Sequence, residues 1–135
     1  MKTNRIKILT ALIVVMLTVL ACGFNFSTAK ITSAKMTANP DTEQETNIFS
    51  QDQTFYCIVV LENAPEETTI KAVWTAVNVE GEQPNLMIDE AEITAGNENV
   101  FTFNLQNNGL WPKGKYKVDL YLNNNLDRTL EFEVQ

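Results

Sequence analysis

The chain has two cysteines, seventeen carboxylates and no histidine from which to build chemistry. Without His, the usual proton shuttle and the commonest metal ligand are both missing. A Ser or Cys nucleophile would then need a Lys or a carboxylate as its base. Cys57 sits in Phe55-Tyr56-Cys57-Ile58-Val59-Val60, on the same side of an extended strand as Phe55 and Val59, and reads as a buried, inert thiol. Asp89, Glu90 and Glu92 share one segment, and Glu66-Glu67 fall in a turn. In a strand Asp89 points opposite to Glu90 and Glu92, and the separation that defines a glycosidase pair is a three-dimensional quantity. These acids read as a solvated face. Glu80, Glu82 and Asp89 flank one loop, but no Asp-x-Asp-x-Asp-Gly spacing exists to hold calcium. Two Cys build neither a disulfide framework nor a four-thiolate zinc site. The expectation is a protein with no catalytic residue, no cofactor and no metal. Aromatic side chains are the better lead. Trp111 lies in a loop beside Pro112, and Tyr56 and Tyr121 fall opposite the core sides of their strands. Such rings stack on sugars or anchor a protein partner. The competing reading has Trp111 capping the end of the core and Tyr121 packing on neighbouring strands.

The formal charge is -7, from 10 basic and 17 acidic side chains. Lys2, Arg5 and Lys7 are the charged residues of the first 21, so the remaining 114 residues carry 7 basic and 17 acidic groups, a net -10. That balance disfavours phosphate backbones and excludes nucleic acid as an expected partner. Met1 to Lys7 is a short basic region, and Ile8 to Leu20 is apolar except for Thr10 and Thr18. The apolar run is too short for a helix to cross a bilayer, which takes about 20 residues. A basic start, an apolar run and then small residues form a secretory signal. It ends in Val19-Leu20-Ala21-Cys22-Gly23, which resembles the lipobox of bacterial lipoproteins, although Leu20 is bulkier than usual there. The resemblance implies cleavage before Cys22, a lipid on Cys22 and attachment to the bilayer outside the cytoplasm. Cleavage after Ser27-Thr28-Ala29, giving a soluble secreted protein, is the alternative. Residues 22–53 then read as a tether with one or two possible edge strands, because Thr37 to Gln53 is rich in polar residues.

From residue 54 onward the pattern has period 2, the period of strands. Strands are expected over Thr54–Glu62, Thr68–Val79, Leu86–Ala95, Val100–Leu105, Lys115–Leu122 and Leu126–Val134. Ile31–Met36 and Thr46–Ser50 offer one or two more. Clusters of Asn, Pro, Gly and Glu separate them. Ile70, Ala72, Trp74 and Ala76 share one face, as do Phe101, Phe103 and Leu105. Only Leu86–Ala95 is helical on propensity; it is assigned as a strand because about seven short strands suit a two-sheet sandwich. The last hairpin has a legible register. With Asn123-Asn124-Asn125 as its loop, Leu122 faces Leu126, Val118 faces Leu130 and Tyr116 faces Phe132, while Lys117 meets Glu131 and Lys115 meets Glu133. A slip of one residue destroys both sets of pairs.

Leu110-Trp111-Pro112-Lys113-Gly114-Lys115-Tyr116-Lys117-Val118 resembles the run before the sixth strand of fibronectin type III and immunoglobulin-like domains, with Lys113 inserted between Pro and Gly. The resemblance implies an all-β, immunoglobulin-like antiparallel sandwich over residues 54–135. It further implies that Tyr116 donates its hydroxyl to nearby backbone and that Trp74 fills the centre of a core without a disulfide. The whole chain is similar to small bacterial lipoproteins with one such domain. This architecture hosts many activities, so function rests on surfaces. The expected function is a non-catalytic, anchored domain outside the cytoplasm that presents sandwich loops to an envelope protein. A carbohydrate-binding module and an envelope protease inhibitor are the alternatives; the inhibitor would use loops Asn63–Glu67, Glu80–Asn85 and Gln106–Gly114.

Overall fold

The computed structural model describes residues 28–135. The segment expected to be a signal, and Cys22, lie outside them. Eight strands follow in chain order: β1 Lys30–Thr37, β2 Ile48–Phe49, β3 Phe55–Glu62, β4 Thr69–Val79, β5 Leu86–Thr94, β6 Val100–Leu105, β7 Gly114–Leu122 and β8 Asn125–Val134. They form a three-stranded sheet of order β1-β3-β6 and a five-stranded sheet of order β2-β8-β7-β4-β5. All neighbours are antiparallel except β2 and β8, which run parallel.

The alternation seen in the sequence becomes the core. Ile70, Ala72, Trp74 and Ala76 of β4 face Phe101, Phe103 and Leu105 of β6 and Phe55, Cys57, Val59 and Leu61 of β3, all buried. Leu86–Thr94 is a strand, as its place in the sandwich requires, and not the helix its propensity permits. Here tertiary pairing with β4 overrides local preference.

The two further strands that the sequence offers over Ile31–Met36 and Thr46–Ser50 are both formed, and they move the start of the sandwich from residue 54 to β1. β1 pairs with β3 from Lys30↔Glu62 to Thr37↔Tyr56, and Phe49 of β2 sits beside Val134. The stretch from Lys30 to Gln53 is thus part of the sandwich and not a tether. Its polar composition concealed a few well-placed apolar residues: Ile31, Met36 and Phe49 are all buried. Arg128 of β8 reaches across to the other sheet and donates to the Ile31 carbonyl at 2.6 Å. That carbonyl lies beside the β1 bulge between Ile31 and Ser33.

The last hairpin keeps the expected register for Lys115↔Glu133, Tyr116↔Phe132, Lys117↔Glu131 and Val118↔Leu130. Nearer the turn it departs. A bulge between Leu120 and Tyr121 shifts the pairing to Tyr121↔Leu126 and Leu122↔Asn125. The loop is therefore two residues, Asn123 and Asn124, with φ of 48° and 65°. Two successive positive φ values make the turn whose twist matches a hairpin, and Asn accepts them more readily than most residues.

Chain direction sorts the loops into two ends. Loops 63–68, 95–99 and 123–124 lie at the end where β1 begins. Loops 38–47, 50–54, 80–85 and 106–113 lie at the other. A backbone bond marks each end: Leu61 N–H of β3 to the Asn99 carbonyl of loop 95–99 at 2.8 Å, and Glu80 N–H to the Lys113 carbonyl across loops 80–85 and 106–113 at 2.9 Å.

Candidate interaction surfaces

Of the two places the sequence leaves open to Trp111, an exposed binding ring and a cap on the end of the core, the structure shows the cap, which corrects the binding role. It is 6% exposed and stacks on Phe55, with ring centroids 4.8 Å apart. Its indole N–H donates to the Gln53 carbonyl at 3.0 Å, and its own backbone N–H donates to the Gln51 carbonyl at 2.8 Å. The reason is a vacancy that local sequence does not reveal. Phe49, Phe55, Tyr116 and Phe132 converge from four strands at this end of the sandwich, and the indole closes the cluster from the loop. Each such aromatic pair adds about 0.5–1.5 kcal/mol beyond burial.

Tyr116 is buried within the same cluster and donates its hydroxyl to the Pro112 carbonyl at 2.6 Å. This is the contact the immunoglobulin-like resemblance implies, and the extra Lys113 leaves it intact. Trp74 is buried at mid-strand, edge-on to Phe132 at 6.1 Å.

Tyr56 and Tyr121 remain partly exposed but do not form a strip. Tyr56 lies on the outer face of the three-stranded sheet, and Tyr121 on the outer face of the five-stranded sheet. The Lys71 ammonium sits 4.9 Å over the Tyr121 ring. With Trp111 inside, the planar row of aromatics that sugar stacking requires is not assembled from these three residues.

The titratable groups fall apart in the same way. Glu66 and Glu67 lie at one end and Glu80 and Glu82 at the other, with Asp89 along β5 between them. Among the described residues, no group of three or more acids and thiols converges on a point that could hold a metal. Lys117 turns along its own strand to Asp119, at 2.8 Å, and not to Glu131 across the hairpin. That hydrogen bond to Asp119 raises the Lys117 pKa.

Cys57 is fully buried, and burial pushes its thiol up to about 12. Tyr116 is also raised to about 12, first by burial and second by the charge of Glu82. The sign of the linkage follows. Both groups are neutral in the fold, whereas unfolded chain ionises near 9.0 for the thiol and 10.0 for the phenol. Above those values the unfolded state binds fewer protons than the native state, so stability falls. The melting temperature followed by circular dichroism is expected to be insensitive to these two groups below pH 9 and to fall progressively from pH 9 towards 12. A Cys57→Ala variant should fall less steeply over that window. An equal slope would remove Cys57 from the account.

Leu110, 66% exposed, projects from loop 106–113. Beside that loop, Asn78, Glu80, Lys113 and Gln135 line an open depression of about 510 Å³. Its mixed charge and openness suit contact with a surface better than enclosure of a small molecule.

Comparison of the sequence with protein-family models and with curated proteins finds no match. Solved structures do resemble the fold. An immunoglobulin-like protein from Pseudomonas aeruginosa aligns over 79% of this chain and 96% of its own, at 14% identity and a TM-score of 0.56. The Pseudomonas fluorescens alkylpurine DNA glycosylase AlkC, solved with DNA containing an abasic-site analogue, aligns over 79% of this chain and 30% of its own, at 15% identity and a TM-score of 0.50. At such identities the likeness speaks for the fold alone. Two facing sheets of eight strands, the Tyr116 contact and the disulfide-free core make this chain an immunoglobulin-like β-sandwich.

Proposed function

We propose that the protein is a non-catalytic domain held outside the cytoplasm by a lipid on Cys22, and that it offers loops 80–85 and 106–113 to a protein partner. One observation carries the orientation. β1 starts at Lys30, and Thr28 already donates its hydroxyl to the Asn63 carbonyl at 3.2 Å. Residues 23–29 are thus all that separate Cys22 from β1, a reach of at most about 29 Å even fully extended. A lipid at Cys22 keeps the end bearing loops 63–68 and 95–99 near the bilayer and turns the opposite end outward. Two or more acyl chains anchor stably where one does not.

The outward end is well built for contact. Loops 80–85 and 106–113 are joined by the Glu80–Lys113 backbone bond, braced beneath by the Trp111 cluster, and topped by Leu110. The envelope protease inhibitor is the second reading, and the same juxtaposition favours it: two of its three candidate loops lie side by side. Loop 63–67 is at the other end and drops out.

The test has two arms. Metabolic labelling with a fatty acid should mark the wild type and spare Cys22→Ala. Capture from envelope extract by the full chain should be lost in Leu110→Glu and kept in Glu66→Ala. An unlabelled wild type ends the anchor. Capture that survives Leu110→Glu moves the contact elsewhere.

A further inference from the structure

β5 is an outer strand of the five-stranded sheet and, at nine residues, the longest edge strand among those described. The other edges are guarded or short. β2 has two residues, β6 has six, and β1 carries Arg128 on its Ile31 carbonyl. The backbone at each end of β5 closes back onto β4 or the loop before it, through Asn85 N–H to Val77 and Ala95 N–H to Thr68. Between those closures, one row of N–H and C=O groups faces away from β4 with no strand beside it among the described residues; within that row the Glu90 N–H donates to Asp89 Oδ1 at 2.9 Å, a local bond that an added strand must displace. Natural edges are blunted by Lys, Pro, bulges or inward-pointing charges. Leu86-Met87-Ile88-Asp89-Glu90-Ala91-Glu92-Ile93-Thr94 has a bulge opposite Trp74 and Thr75 and the inner-face Asp89 near its start, but neither Lys nor Pro.

The side chains along this edge say what it accepts. Glu90 and Glu92 share the outer face and Asp89 the inner one, in register with Val73, Lys71 and Trp74 of β4. None of the three takes part in the ion pairs of the described residues, which are Lys30–Glu62, Lys35–Glu43, Lys117–Asp119 and Arg128–Asp127. Lys71, the cation in register with Glu92, sits over Tyr121 instead. At the start of the strand, Leu86 is 43% and Met87 57% exposed. A second copy is a poor occupant, because pairing β5 with itself brings carboxylates against carboxylates.

We infer that β5 is an acceptor edge for an extended, cationic segment of a partner protein, added as a further antiparallel strand. Main-chain bonds supply affinity in this mode and alternate side chains supply selectivity. Residues two apart on one face of a strand are about 6.6–7 Å apart, so Lys or Arg at alternate positions of the partner meets Glu90 and Glu92 in turn. Apolar side chains at one end of the segment cover Leu86 and Met87. The carboxylates of this surface lie along β5 away from the outward loops, although Leu86 adjoins loop 80–85, and the surface does not depend on Cys22.

The experiment is fluorescence anisotropy with the full chain in detergent and a short labelled peptide alternating lysine and valine. Saturable binding is expected, weakened by at least about tenfold when glutamate replaces lysine and by a comparable factor in the E90Q/E92Q double variant. Both substituted positions are exposed, so the fold is retained. The decisive arm methylates alternate backbone nitrogens of the peptide. An added strand uses only one alternate set of amides, so one methylated set should lose at least about tenfold and the other little. If both sets bind like the parent, the attraction is charge alone and the added strand is refuted. If the double variant binds like wild type, the carboxylates have no part and the inference fails. Sedimentation showing a dimer that Met87→Lys dissolves would assign the edge to a second copy instead. Each of these outcomes is independent of fatty-acid labelling and of Leu110→Glu, so failure here leaves the anchored-domain proposal standing.

Discussion

Gly114→Ala is expected to lower the unfolding free energy by about 3–5 kcal/mol, the sum of a backbone strain and an overpacking term. Gly114 opens β7 with φ of 140°, where residues with a Cβ are strained. Space is lacking as well. A Cβ there would overlap the Asn78 carbonyl oxygen and lie 2.7 Å from the Val79 Cα, both rigid backbone atoms of β4. The crowding has a cause: β4 and β7 slip register between Ala76 and Asn78, which brings Val79 opposite Gly114. Moving β7 away would disturb the Tyr116 hydroxyl, only two residues on, and the aromatic cluster beneath loop 106–113. In a domain of about 100 residues, such a loss corresponds to a fall in melting temperature of more than about 12 °C. Gly96→Ala is the control, since nothing lies within 4 Å of its Cβ position and its φ is not positive. It should leave the melting temperature almost unchanged. Equal melting temperatures for the two variants would overturn the reading of Gly114.

Trp111→Ala is expected to cost about 3–5 kcal/mol, the range for removing a buried aromatic side chain. That is a large share of a typical domain stability of about 5–15 kcal/mol. The loss comprises the stack on Phe55, the edge contact with Tyr116 at 6.2 Å, and a Gln53 carbonyl left without its indole donor. Trp111→Phe separates these effects. It keeps most of the packing and forfeits the hydrogen bond, for about 1–2 kcal/mol. Chemical denaturation followed by circular dichroism measures both. The distinction matters for any binding assay, because loss of a partner in Trp111→Ala would report a loosened scaffold and not a missing contact. Leu110→Glu probes the same loop without opening the core. Trp111→Ala unfolding at the wild-type denaturant concentration would return Trp111 to the surface as a candidate ligand contact.

Much of the sandwich is legible in the sequence. Strand alternation in β4 and β6 marked the inner residues correctly, because neighbouring side chains on a strand must point to opposite faces whatever the strand pairs with. The far part of the β7–β8 hairpin was legible for a related reason: apolar and charged pairs agree in a single register. Its turn is one residue shorter than the pattern suggests, because Asn at 123, 124 and 125 suits a loop of two residues or three, and the bulge at Leu120–Tyr121 leaves no mark in the sequence. β1 and β2 were legible only faintly. Their apolar residues are few, and what holds them is pairing with β3 and β8, remote in sequence.

The candidate surfaces were less legible than the fold. Trp111 looks the same in sequence whether its ring faces water or a hole in the core. The hole exists because Phe49, Phe55, Tyr116 and Phe132 arrive there from four separate strands. Tyr56 and Tyr121 were rightly assigned to outer faces, yet nothing local told that the faces belong to different sheets. The β5 edge escaped sequence reading altogether, because being an edge is a property of sheet order.

By itself, then, the order of residues determined the period, the inward and outward sets, the hairpin partners and the absence of histidine chemistry, all of which depend on neighbours within one strand or one turn. Tertiary structure alone decided where the sandwich begins, that Trp111 is a core residue, which loops share an end, and which strand is left with open backbone. Those outcomes turn on contacts between segments far apart in the chain, whose strength depends on the shape left by every other strand.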